Sequence, residues 1–177
     1  MSAEIGGRDL RNIKTEKALS DAMVSLLRRN SFKKVTVRDI CHEALISRAA
    51  FYMHFTDKYR FLKWWIVDVW TVNIVHEDDV YEVKEQKVNQ FINENKPIIK
   101  NLFMDADSGI FDALFEALVS ILHLTVDKTI EDIVLSNFYI GGMLHYLTWQ
   151  AENNFPQNIT TMNHHFYEII KIFQEWN

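Results

Sequence analysis

The chain has 177 residues, enough for one sizeable core or for a small head on a larger body, and its longest apolar stretch, 109–126, is broken by Asp112, Glu116 and His123, which excludes a membrane span. Two Pro and five Gly among plentiful Leu, Ile, Phe, Glu and Lys favour an all-helical protein, while a lone cysteine, Cys41, excludes a disulfide framework and points to a reducing cytoplasm. The net charge of −5 is unevenly divided: residues 1–63 hold 13 Lys and Arg against 7 Asp and Glu, and the remainder 6 against 17, so a basic end that attracts phosphate is joined to an acidic end that repels it.

Residues 1–12 are polar, lack the apolar centre of a signal peptide, and are expected to form a mobile arm; Arg8 and Arg11 are alternatively placed to reach a minor groove. The first helix is predicted over 13–29, with Leu19, Ala22, Met23, Leu26 and Leu27 as its buried stripe. Asn30-Ser31 ends it, Phe32 is expected under the head, and Lys33 and Lys34 lie in the loop. Thr36 then opens a second helix as half of a capping box with Asp39. A four-residue turn, Ala44-Leu45-Ile46-Ser47, leads to a third helix capped by Ser47. Val37, Ile40, Ala44, Phe51 and Phe55 fall on the inward face. Ala49, Tyr52 and Met53 point away, with Arg48, Ala50 and His54 on the flanks. Two short helices around such a turn form a helix-turn-helix suited to a major groove, although spacing alone fits an ordinary helical corner equally well.

Further along, Lys58 opens a fourth helix predicted to run over 58–76, with Phe61, Leu62, Trp65, Ile66, Val69 and Trp70 inward. A weaker fifth stripe covers 80–95. Pro97 suits the first turn of the next helix, with 98–104 as its body, because its missing amide has no partner to lose there. After the loop 105–108, Asp107 or Ser108 caps a strongly apolar helix over 109–127. An eighth helix is predicted over 129–153, with Gly141-Gly142 in its middle; each interior Gly costs about 1 kcal/mol relative to Ala, and close approach of another helix is the expected compensation. Asn153-Asn154-Phe155-Pro156 stops it. A last helix follows, apolar at Phe166, Ile169, Ile170, Phe173 and Trp176, so it needs a partner, either within the chain or in a second copy.

The run Ser47-Arg48-Ala49-Ala50-Phe51-Tyr52-Met53-His54-Phe55-Thr56-Asp57-Lys58 closely resembles the signature of TetR-type transcriptional regulators, roughly Ser-x-small-Thr-Phe-Tyr-x-His-Phe-x-x-Lys, and Thr36-Val37-Arg38-Asp39-Ile40 resembles the opening that precedes it. The resemblance spans about residues 14–62. Two positions depart from it. Leu45 stands where Gly is frequent, which questions whether the turn needs a left-handed residue. Ala50 stands where Thr is usual, removing a hydroxyl that would hold a phosphate.

The resemblance implies a three-helix DNA-binding head over 1–57 and a regulatory and dimerisation body over 58–177, about nine helices in all. It implies a homodimer on a palindromic double-stranded operator. Ser47 would cap the recognition helix and donate to a phosphate, and Arg48 would reach a base edge or the backbone. Ala49 would let the helix approach and touch a thymine methyl, while Tyr52 and His54 would hold phosphates. Thr36 and Arg38 at one end of the motif, and Lys58 at the other, would attract the backbone. A small apolar or aromatic effector is expected in the body, with Trp65, Phe103, Met104, Phe111, Phe115, Met143, Tyr146 and Trp149 as candidate lining; plain core packing explains the same stripe. Ile140, Gly141, Leu144, Phe166, Ile170 and Phe173 are the candidate dimer contacts. The Gly-Gly pair, Trp149 and the Asn-x-Phe-Pro run are similar to a branch that includes dihydroxyacetone kinase regulators.

The implied function is transcriptional repression relieved by the effector, or alternatively co-activation through a protein partner without an effector. His164-His165 and His145 lack metal-ligand spacing, and no nucleophile elbow, phosphate loop or HExxH run is present, so no enzyme, metal or cofactor is expected.

Overall fold

Capping explains why the first third of the chain breaks into short helices. The computed structural model describes residues 10–67, 81–122 and 130–156. Over these the chain is all-helical, with α1 Leu10–Leu27, α2 Val37–Glu43, α3 Arg48–His54, α4 Lys58–Trp64, α5 Tyr81–Glu94, α6 Lys96–Phe103, α7 Ser108–Leu122 and α8 Ile130–Glu152. Three successive starts carry a side-chain cap. Thr36 Oγ1 accepts from the Asp39 amide at 3.2 Å while Asp39 Oδ2 accepts from the Thr36 amide at 2.9 Å, completing the anticipated box. Ser47 Oγ accepts from the Ala50 amide at 3.0 Å. Asp57 Oδ1 accepts from the amides of Tyr59 and Arg60, both at 2.8 Å.

The head closes on aromatic rings. Phe51, Phe55 and Phe61 are buried and pack with Trp64 at centroid separations of 5.0 to 5.8 Å. The α1 stripe of Leu19, Ala22, Met23, Leu26 and Leu27 is buried as predicted, and so is Phe32. Beyond Trp64 the winding widens to π-helical over 65–67, where consecutive side chains Trp65 and Ile66 are both buried. The Trp65 indole N–H donates to Ser20 Oγ at 3.0 Å, which ties α4 to α1.

The body continues the same core. Buried residues from Leu19 to Ala151 form one cluster that includes Ile98, Ile99, Leu102 and Phe103 of α6, Ile110, Leu114 and Ala117 of α7, and Ile140 and Leu144 of α8. Pro97 sits in the first turn of α6 and Asp107 Oδ1 caps α7 through the Ile110 amide at 3.0 Å, both as expected. At the end of α8, Asn154 and Phe155 take left-handed backbone conformations, and the Phe155 amide returns to the Gln150 carbonyl at 2.7 Å. The far end of the fourth helix and the last helix, with Phe166, Ile170, Phe173 and His164-His165, lie outside the described residues.

The expected close approach at the Gly pair does not come from a described helix at Gly141. A methyl added at Gly141 would meet nothing within 4 Å, so no helix of this chain among the described residues approaches there. The close approach occurs instead at Gly109, where a methyl would fall 2.8 Å from Tyr59 Cε1.

Candidate nucleic-acid interface

Burying Phe51 and Phe55 dictates what α3 shows to solvent. Tyr52 and Met53, one and two positions after Phe51, and Ala49, two before it, rotate outward and are exposed, as is Arg48. Met53 is 84% exposed and Tyr52 47%. The Arg48 guanidinium lies 5.8 Å from the centre of the Tyr52 ring, which joins a cation and a phenol on one surface. His54 is half-buried, its ring 6.0 Å from that of Phe55. Thr36 and Arg38 are exposed at the start of α2, and Ser47 is exposed at the start of α3. Thr36 is already engaged: its hydroxyl donates to Asp39 Oδ2 at 2.6 Å.

Lys58 is the site residue whose role changes. Its ammonium donates to the carbonyls of Phe32, Lys33 and Val35 at 3.0, 3.1 and 2.9 Å. An ammonium has three donors, so the set is complete and none remains for a phosphate. The same nitrogen lies 4.8 Å from the centre of the Phe32 ring. Burial pushes its pKa down, and the Asp107 carboxylate opposes that shift. Lys58 therefore closes the α1–α2 loop from inside, with its three donors turned to the carbonyls of Phe32, Lys33 and Val35. The readable hint was its place in the first turn of α4, where the helix dipole disfavours a cation unless acceptors lie elsewhere.

The turn between α2 and α3 answers the question posed by Leu45. Its φ is 55°, left-handed, and its side chain is 91% exposed. The turn does require the conformation that Gly adopts freely, and Leu adopts it without burial in return.

A joint couples α1–α4 to α6, α7 and the turn before α7, and the sequence offered little sign of it. The Asn101 side-chain amide donates to the Leu27 carbonyl at 2.8 Å, and the Asn101 carbonyl accepts from the Phe32 amide at 2.8 Å, so α6 satisfies backbone groups at the end of α1. On the other side, the Tyr59 hydroxyl donates to Asp107 Oδ2 at 3.1 Å, and Arg60 and Lys63 both reach Glu116 Oε2 at 3.0 and 2.9 Å. Hydrogen bonding from Lys63 and the charges of both cations hold the Glu116 carboxyl below its usual range. Burial and the hydrogen bond to the Asp107 carboxylate push the Tyr59 phenol pKa up.

The candidate effector residues do not form one uniform lining. Trp65 and Phe103 are buried in the core, whereas Met104, Phe111, Phe115, Met143 and Tyr146 are half-buried and Trp149 is exposed. The rings of Tyr146 and Trp149 lie 5.9 Å apart, and that of Phe111 lies 5.6 Å from His145. Gln150 donates to the Tyr146 hydroxyl at 2.8 Å. Among the candidate dimer residues, Ile140 and Leu144 are buried inside the chain, which leaves them unavailable to a second copy. The exposed register of α8 carries Val134, Phe138, Gly142, His145 and Trp149 instead. Among the described residues no group of three or more His, Cys, Asp or Glu is placed to hold a metal, and no helix is long and apolar enough to cross a membrane.

Residues 19–63 match the family model of bacterial regulatory proteins, tetR family. No curated protein matches the sequence. Among solved structures, Lin0861 from Listeria innocua is similar with a TM-score of 0.62 and 17% identity over 94% of this chain and 94% of that one. A TetR transcriptional regulator from Streptococcus agalactiae 2603V is similar with a TM-score of 0.57 and 21% identity over 89% and 94%. The dihydroxyacetone kinase operon activator DhaS is similar with a TM-score of 0.56 and 14% identity over 90% and 96%. At these identities the structures share the fold, which is an N-terminal helix-turn-helix head on a helical body.

Proposed function

We propose that this TetR-type regulator binds a palindromic operator as a homodimer and represses transcription in the cytoplasm until a small apolar or aromatic effector releases it. The observation that carries the reading is the exposed face of α3, with Arg48, Ala49, Tyr52 and Met53 projecting from a capped helix in the basic third of the chain. In this reading 1–57 is the DNA-binding unit and 58–177 the regulatory one. Ser47, Arg48, Tyr52 and His54 serve the phosphates, joined by Arg38 and Thr36, and Ala49 faces the bases. Two heads related by a twofold axis would meet half-sites about 34–36 Å apart.

Dimerisation is supported by the apolar strip of α8, where Phe138 is 58% exposed and Gly142 would permit close backbone approach. Gly141, open on the chain's own side, fits the same role, and the expected last helix with Phe166, Ile170 and Phe173 would complete the contact. The effector would enter among the half-buried Met104, Phe111, Phe115, Met143 and Tyr146, next to Trp149. Trp65 and Phe103 would act as its floor.

A second reading, co-activation through a protein partner without an effector, draws on the similar structure named as an operon activator. Selection of duplexes from a random pool at low salt, combined with sedimentation of the wild type and Phe138→Asp, tests the proposal. Recovery of palindromes by a dimer, and a monomeric variant with weakened binding, is the expected result. A monomeric wild type that retains no duplex would overturn it. Release of the recovered operator by a screened library of aromatic compounds favours the repressor reading, and transcription enhanced in vitro by the bound protein favours the second.

A further inference from the structure

Polar groups on the exposed face of α3 already have contacts within the chain. The Ser47 hydroxyl is engaged as a cap, the Arg48 guanidinium is drawn over the Tyr52 ring at 5.8 Å, and His54 is half-buried beside Phe55. Beside the exposed Arg48–Tyr52 pair, the face presents an apolar pair outward. Ala49 and Met53 stand four residues apart, hence on the same side of the helix, and Met53 is 84% exposed. A soluble surface gains nothing from a methionine in water, whereas an unbranched thioether adapts readily to an apolar contact. In a major groove the apolar feature of a base edge is the thymine 5-methyl group.

We infer that Ala49 and Met53 together form a methyl reader, with Met53 selecting thymine at the centre of each half-site by burying its 5-methyl group. This rests on the DNA-binding reading above and adds to it the chemistry of base choice: apolar contact in place of hydrogen-bond pairing. Phosphate contacts would then fix the position, and the pattern of methyl groups would fix the sequence.

The test uses the full chain and a duplex recovered from a random pool, with each thymine replaced singly by deoxyuridine, which removes only the methyl group. At one or two positions per half-site the replacement weakens binding about threefold to tenfold at fixed salt, the scale of one buried methyl and its packing. Met53→Ala reduces that penalty to less than twofold, and Met53→Leu retains it. Because the side chain lies in solvent, far-UV circular dichroism of both variants matches the wild type. Tight binding with equal affinity for thymine and deoxyuridine at every position overturns this inference and leaves the DNA-binding reading intact, as does an undiminished penalty in Met53→Ala. Retention of no duplex at all overturns both.

Discussion

The Tyr59 ring occupies the space where a side chain on Gly109 would begin, with Cε1 2.8 Å and Cζ 3.0 Å from the position of a methyl group. The phenol is also held by Asp107 at 3.1 Å and packs edge-on to Phe32 at 6.0 Å, so the ring cannot withdraw without losing partners on both sides of the joint. Gly109→Ala is expected to lower stability by about 1–2 kcal/mol, since the overlap and the lost hydrogen bond exceed the modest helix-propensity gain at the start of α7. In a double-mutant cycle with Tyr59→Ala the two losses fall short of additive, because removing the ring frees the methyl group. Urea denaturation of the four proteins measures this, and additive losses would refute the contact as the cause.

A charge that serves three carbonyls behaves differently from one that serves a phosphate. Lys58→Met leaves the carbonyls of Phe32, Lys33 and Val35 without their shared donor and is expected to destabilise the head by about 1–3 kcal/mol. The dependence of DNA affinity on salt should keep the wild-type slope in this variant, whereas Arg48→Ala should lower the slope by about one unit if Arg48 contacts a phosphate. A reduced slope in Lys58→Met with unchanged stability would return Lys58 to the phosphate-binding set.

These two relationships mark where sequence reasoning succeeded and where it stopped. The caps at Thr36 and Ser47, the buried stripe of α1 and the outward turn of Tyr52 and Met53 are local: each follows from spacing within a few residues, and each is present. The partners of Lys58 lie 23 to 26 residues away, and the partner of Tyr59 lies 48 away. No periodicity encodes such pairings. The same limit explains the glycines: a Gly pair inside a long helix stands out in a sequence, yet among the described glycines the one whose added methyl would meet a ring is Gly109 at a helix start, and Gly141 has open space. In α8, helical spacing identifies an apolar helix but not which of its faces the chain covers, so Ile140 and Leu144 stand among the candidate dimer contacts although both are buried within the chain.

Leu45 carries a left-handed backbone with no compensating burial, at φ 55° and 91% exposure. Left-handed geometry costs a branched L-residue about 1–2 kcal/mol relative to its preferred regions, and Gly gives back part of this through its larger unfolded-state entropy. Leu45→Gly is therefore expected to raise stability by about 0.5–1 kcal/mol, read as a higher urea midpoint at unchanged slope. Leu45→Val should lower it, since branching at Cβ resists the conformation further. A Gly variant less stable than wild type would mean that the turn tolerates Leu without strain.

Acid should loosen the head only once the pH falls below the ordinary range of a free carboxyl. The Thr36 hydroxyl and amide hold Asp39 below its usual value. Burial pushes Asp57 up, but the Arg60 amide, the Thr56 hydroxyl and the Tyr59 amide outweigh it and leave the net shift downward. Ser25 and then Arg29 lower Glu43, to which both are hydrogen-bonded. Each of these groups binds a proton more weakly in the folded chain than in the unfolded one, so its contribution is complete above about pH 4 and is lost as the pH falls through the folded value. Stability is thus expected to be flat with respect to these carboxyls between about pH 7 and 5 and to fall below about pH 4. Asp39→Ala, which removes one half of the capping box, should be less stable by roughly 0.5–1 kcal/mol at pH 7 and should show a shallower acid decline, so that the two curves converge near pH 2. Denaturation at a series of pH values separates the possibilities: parallel curves would mean that Asp39 contributes nothing through its charge, and a decline that begins near pH 6 would place the acid sensitivity outside these carboxyls.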